Sequence, residues 1–161
     1  MIYKRTWKYI LTKDNFCEYH PHFYRLKAIK DFSDVKKESL GGYVYGYYNL
    51  SQKGDCWVSD MSKVLEDAFV RDNAVVIENS VIAGQASIKD NARISGDSYV
   101  SGDAQVYNNA SVSGNSYISK NAKICENAQI LGNSKISGRD ICISGNTIIK
   151  DEILTVGKYD L

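Results

Sequence analysis

Any chemistry in this chain would have to come from two histidines, four cysteines and a few outward-facing charges. His20 and His22 flank Pro21, and the pair could act as bases or share a metal ion. A metal site needs three or four ligands, and no cysteine or carboxylate cluster completes the set. Cys17, Cys56, Cys125 and Cys142 show no CxxC spacing, which argues against zinc and thioredoxin-type motifs. Cys125 falls at an outward position, but the sequence puts no histidine beside it to support a thiolate. P-loop, GxGxxG and nucleophile-elbow spacings are absent. The sequence therefore predicts no catalytic residue, no cofactor and no metal site.

The elements that would position these residues are written in a repeat. Every sixth residue from Val58 to Ile136 is Val or Ile, fourteen positions without a gap. Four residues after each aliphatic stands a small side chain. From Ala68, Ala74 and Ser80 to Ala122, Ala128 and Ser134 these read Ala, Ala, Ser four times over. A unit of six nested in a unit of eighteen predicts three flat walls per coil, with aliphatic and small residues pointing inward. No helix fits, because a 3.6-residue period cannot hold phase with a step of six. Fixing six residues costs about 6–12 kcal/mol of backbone entropy. One buried Val or Ile returns only about 1.5–3 kcal/mol, so a hexad folds only as part of a stack. Between strands, Gly96-Asp97, Gly102-Asp103, Gly114-Asn115 and Gly132-Asn133 read as corners, with Asn or Asp expected in the left-handed conformation. One corner ladder, Asp72, Asp90 and Glu126, is acidic and interrupted by Asn108; a cation could relieve its repulsion.

The expected architecture is all-β: a cap over residues 1–40, a parallel β-helix over 41–154 and a tail over 155–161. In the cap, Trp7–Thr12 and His22–Ile29 read as a hairpin turned at Lys13-Asp14-Asn15. Gly41-Gly42 predicts a close backbone approach. Gln52 takes the place of an aliphatic and Cys56 that of a small residue, the irregularity expected of a terminal coil. After Ile136 the register slips by one residue, which predicts a bulge.

The hexads resemble the hexapeptide-repeat, left-handed parallel β-helix superfamily, in which three hexads make one triangular coil, over residues about 40–154. A departure is that Gly falls two places after the aliphatic rather than one; a right-handed β-helix of the bactofilin kind is the other reading. The segments Tyr24-Arg25-Leu26-Lys27-Ala28-Ile29-Lys30-Asp31-Phe32, Leu40-Gly41-Gly42-Tyr43-Val44 and Asn49-Leu50-Ser51 resemble the opening of a β-helix family common in phages and prophages. Its members continue, as here, into Gly54-Asp55-Cys56-Trp57-Val58. That resemblance implies a phage-associated protein. The best-known enzymes on the scaffold are acyltransferases with a histidine base on a coil, whereas His20 and His22 both precede the first coil, so no such base carries over.

Function is thereby directed to the outer walls. Lys and Arg number 20 against 19 Asp and Glu, so no overall field indicates nucleic acid. No apolar run reaches membrane-spanning length, and no export signal is recognised, so host cytosol is the expected location. One predicted stripe carries Val81, Tyr99, Tyr117 and Lys135, with Ile77 and Leu131 alongside, an apolar patch suited to a protein partner. Another carries Arg71, Lys89 and Tyr107 with Arg93, and reads as a solvated basic face. The sequence therefore predicts a non-catalytic, phage-derived recognition protein that binds a host or phage protein through a flat face. Inhibition of a host enzyme or of a defence (anti-CRISPR-like) complex is the form the resemblance suggests. An acyltransferase using His20 or His22, and a structural virion module forming homo-oligomers, are the alternatives.

Overall fold

The computed structural model describes residues 6–13 and 23–156, with the backbone of 158–160. Every repeat contributes a strand of two to four residues, and each coil strand pairs in parallel with the strand of the next coil. Tyr99-Val100 lies against Tyr117-Ile118 on one side and Val81-Ile82 on the other. Three walls result, each a sheet running the length of the solenoid. Wall one, of six strands, carries Val58, Val76, Ile94, Val112, Ile130 and Ile149. Wall two, of nine strands, carries Val64, Ile82, Val100, Ile118, Ile136 and Leu154. Wall three, of six, carries Val70, Ile88, Val106, Ile124 and Ile143.

The inward column is as the spacing predicts. All fourteen repeat aliphatics from Val58 to Ile136 are fully buried, and the small residues between them are buried as well. The Ala-Ala-Ser rhythm has a physical cause. Serine falls once per coil, at the corner from wall one to wall two, where its hydroxyl donates to a backbone carbonyl: one of the next coil for Ser62 and Ser80, and one three residues back for Ser98, Ser116 and Ser134. Ser98 Oγ reaches Ser95 O at 2.7 Å, Ser116 Oγ reaches Ser113 O at 2.8 Å and Ser134 Oγ reaches Leu131 O at 2.7 Å. A buried hydroxyl is tolerated there because it is bonded.

The corners differ from the sequence expectation by one residue. The left-handed conformation falls on the residue before the Asn or Asp: Glu66, Asp72, Glu78, Gly84, Asp90, Gly96 and onward, with φ between +55° and +74° in that run. Acids are accepted there because their carboxylates cap the next coil. Glu66 Oε2 accepts from Gly84 N at 2.6 Å, Asp90 Oδ2 from Asn108 N at 2.9 Å and Glu126 Oε2 from Gly145 N at 2.8 Å. Backbone N–H groups thus offset the repulsion for which a cation was considered. The asparagines that follow stack instead into an amide ladder. Asn73, Asn91, Asn109 and Asn127 each donate Nδ2 to the Oδ1 one coil on, ending at Asn146, at 3.1–3.2 Å.

The two expected cap strands pair antiparallel and are joined by a third, while residues 14–15 of the expected turn lie outside the described residues. β1 (Tyr9–Thr12) and β2 (Tyr24–Ala28) pair antiparallel, and β2 pairs antiparallel with β3 (Leu40–Val44). β3 then pairs in parallel with Lys63-Val64, so the cap continues wall two. Gly41 and Gly42 make the approach that was predicted. A Cβ at Gly41 would stand 2.6 Å from the Trp57 ring, and one at Gly42 2.4 Å from Ser62 O. Lys8 crosses the end of the first coil, its side chain buried, with Nζ on Cys56 O at 2.7 Å and Gly54 O at 3.0 Å. Burial lowers its pKa. Gln52 bonds Lys8 N at 2.9 Å and Tyr9 O at 3.1 Å, which explains an amide where the repeat calls for an aliphatic. At the other end, Ile124 pairs with Ile143 and Ile130 with Ile149, nineteen residues apart, whereas Ile136 still pairs with Leu154, eighteen apart. The extra residue is accommodated between Ile136 and Ile143.

Candidate partner-binding surface

With the interior filled, the outer faces of the walls are the chain's accessible surface. Wall two presents a ladder of Lys63, Val81, Tyr99, Tyr117 and Lys135, each set opposite the next by strand register. Tyr99 and Tyr117 stand with ring centroids 5.4 Å apart and planes 3° from parallel. Both remain exposed, at 37% and 39%. Lys135 Nζ lies 5.6 Å from the centre of the Tyr117 ring. Leu65, half-buried, continues the apolar strip beside the ladder at the outgoing end of its strand, where Ala83 one coil on is buried. Desolvation, then the neighbouring Tyr117, raises the Tyr99 pKa. The ring pair offers phenol hydroxyls and carbon surface together.

Two residues grouped with this stripe in the sequence sit elsewhere. Ile77 and Leu131 close strands of wall one, their amide or strand pairing running to Ile94 and Lys150 of that wall. They adjoin the tyrosine ladder across the corner formed by Glu78, Gly96, Gly114 and Gly132. The repeat spacing could not reveal this, because it gives height along the solenoid but not the position of the bend.

The basic group is likewise divided. Arg71, Lys89 and Tyr107 stack at the edge of wall three, whereas Arg93 is on wall one between Val75 and Ser111. The wall-three cations already have partners: Arg71 lies 5.6 Å from the Phe69 ring centre and 3.6 Å from Asp72, and Lys89 4.9 Å from the Tyr107 ring centre. Tyr107 is pushed up to about 12, first by its hydrogen bond with Cys125 and then by burial. Cys125 is 5% exposed, and burial raises its thiol pKa, the opposite of nucleophile activation. His20 and His22 lie outside the described residues.

The fold and this surface define the chain as a parallel β-solenoid with a capped end and one aromatic wall. No protein-family model matches the sequence, and no curated protein does.

Proposed function

We propose that this chain is a non-enzymatic recognition protein that binds a protein partner through wall two. The reading is carried by the exposed Tyr99–Tyr117 pair, set beside half-buried Leu65 and Val81 on a prism whose interior is filled. Exposed paired aromatics are the residues on which interface energy concentrates. Lys63 and Lys135 bracket Val81, Tyr99 and Tyr117 about 19 Å apart, four strand spacings of about 4.8 Å, and exposed Ile153 follows Lys135 in register. A partner acidic at both ends of an apolar strip complements this pattern. A second copy does not: an in-register two-fold sets Lys63 against Lys135 or each lysine against itself, and like charges oppose docking.

The resemblance of the entry segment to phage β-helix proteins supports a phage-derived protein acting in host cytosol, with a host enzyme or defence complex as the partner class. The test is affinity capture from bacterial lysate with the parent chain, followed by measurement on the captured protein. Tyr99→Ala/Tyr117→Ala is expected to weaken binding by roughly 30-fold, the effect of a hot spot worth about 2 kcal/mol. Unchanged affinity in that variant would overturn the assignment of wall two.

A further inference from the structure

We infer that a second binding site, for a protein segment with a basic and an acidic residue three places apart, lies between the cap and wall one. The loop of residues 33–40 stands off that wall and encloses a groove of about 550 Å³ with it. That volume falls within the range of ligand sites. The loop is held in place. Phe32 and Val35 exchange backbone hydrogen bonds of 3.1 and 2.9 Å. The Phe32 ring packs edge-on against Trp57, with centroids 5.3 Å apart. The groove therefore exists before any ligand arrives, which lowers the ordering cost of binding.

Its floor is the ladder of Trp57, Val75 and Arg93, adjacent by strand register, with Ile77 beside it. Charge is distributed unevenly along it. Asp34 on the loop and Asp55 and Asp60 on the first coil line the groove near the cap; Arg93 lines it two coils further on. Asp60 already accepts hydrogen bonds from Glu78 N and Ser59 Oγ. No ion pair within 4.0 Å joins Asp34, Asp55 or Arg93 to another described residue. Three carboxylates against one guanidinium make the groove net negative, which opposes phosphate and nucleic acid and favours a cation at the cap end. The apolar floor takes a hydrocarbon side chain, and Arg93 takes a carboxylate. Two strand spacings separate the charge centres by roughly 10 Å, about three residues of extended chain at about 3.3 Å each. A basic and an acidic residue three places apart, with an apolar residue between them, is the pattern that fits. This site is distinct from the tyrosine ladder, which lies on the next wall.

The test is a titration of the ¹⁵N-labelled chain with the peptide Ac-Arg-Leu-Ser-Asp-NH₂, and with Ac-Gln-Leu-Ser-Asn-NH₂ as an uncharged control of equal length. Amide shifts are expected at residues 33–40, 55–60, 73–77 and Arg93 with the first peptide. They should weaken at least about fivefold in Asp34→Asn/Asp55→Asn, whose exposed side chains make no hydrogen bond or ion pair with a described residue, Asp55 acting on Lys8 only through its field, or when salt rises from about 50 to about 300 mM. The Tyr99→Ala/Tyr117→Ala variant should respond as the parent does, so failure of the wall-two reading would leave this result standing. Absence of shifts at about 5 mM peptide, or an equal response to the uncharged peptide, would overturn the site.

Discussion

Replacing Glu66 separates two forces that meet at every acidic corner. Glu66 holds a φ of +55°, a conformation that costs an L-residue about 1–2 kcal/mol relative to glycine. Its carboxylate accepts the Gly84 N–H of the next coil at 2.6 Å. Hydrogen bonds to charged groups contribute about 1.5–3 kcal/mol when shielded, but this one is in solvent, and about 1 kcal/mol is the appropriate scale. Glu66→Ala removes the hydrogen bond and keeps the strain, so it should destabilise by about 1 kcal/mol. Glu66→Gly removes the hydrogen bond and the strain together, so its net effect should lie near zero. For a chain of this size, a difference of about 1 kcal/mol between the two variants is a Tm gap of about 2–4 °C. Urea unfolding followed by circular dichroism, with m unchanged, measures the same gap as a shift in midpoint. Gly96→Ala should be worse than either, since its Cβ would face Gly114 O at 2.3 Å from a φ of +74°. Equal destabilisation by Glu66→Ala and Glu66→Gly would refute the claim that left-handed strain is being offset at these corners.

The remaining expectations concern the core, the cap and pH. Ile118→Ala, at a fully buried position in mid-column, should cost about 2–5 kcal/mol by denaturant titration; a cost under about 1 kcal/mol would mean the column is loosely packed. Gly41→Ala should lower thermal stability and shift the Trp57 fluorescence, because the new methyl meets the indole and Val58 O at 2.6 Å; an unchanged spectrum would place the indole elsewhere. Burial raises the Tyr9 phenol above its ordinary 10.0, so the unfolded chain ionises first. The stability it contributes is whole below about pH 10 and is lost as pH rises toward the folded-state value. Lys8 slopes the other way, because burial lowers its ammonium below 10.5, the folded chain releases its proton first, and stability rises up to that pH. Tyr9 carries the larger shift, so unfolding midpoints should decline from about pH 9 to about pH 11, with Tyr9→Phe flattening the decline. A flat parent profile would contradict the burial of that phenol.

The walls were legible because one residue type recurs at one step. Fourteen aliphatics in phase leave no other arrangement that buries them all, and the slip after Ile136 was visible as a broken count. The corners were read one residue off. Asn and Asp are the residues most associated with the left-handed region, so Asn73 and Asn91 drew the assignment from Asp72 and Asp90. What decided it was a contact eighteen residues away: a carboxylate to the next coil's N–H, and an amide to the next coil's amide. Contacts of that range have no local signature. The same holds for Lys8, a charge in an N-terminal strand that burial on the first coil could not be inferred to claim. On the surface, Tyr99 over Tyr117 followed directly from the eighteen-residue step. The separation of Ile77 and Leu131 from that ladder, and of Arg93 from Arg71, depended on where each wall bends. The groove depended on a non-repetitive loop, whose path no periodicity describes.

The size of wall two constrains how any partner must sit. The nine strands of wall two span about 38 Å at about 4.8 Å per spacing, and a wall is about three residues or 10 Å wide, which gives roughly 400 Å² of flat surface. A stable interface buries about 800 Å² on each side, so a partner confined to this wall would be held too weakly for specific recognition. It must pass around a corner, and the corner toward wall one leads to Leu131 and Ile77, both half-buried apolar residues. The opposite corner leads to Arg71 and Lys89, which are already engaged with Phe69 and Tyr107. Asn115 occupies the favoured corner, exposed, its Nδ2 on Asn133 Oδ1 at 3.5 Å, a distance at which little is lost on replacement. Asn115→Arg should therefore leave the unfolding midpoint within about 0.5 kcal/mol of the parent while weakening the captured partner by at least about tenfold, through bulk placed under the bend of the interface. Retention of full affinity by Asn115→Arg, with loss in Tyr99→Ala/Tyr117→Ala, would confine the footprint to wall two and refute the wrapped geometry.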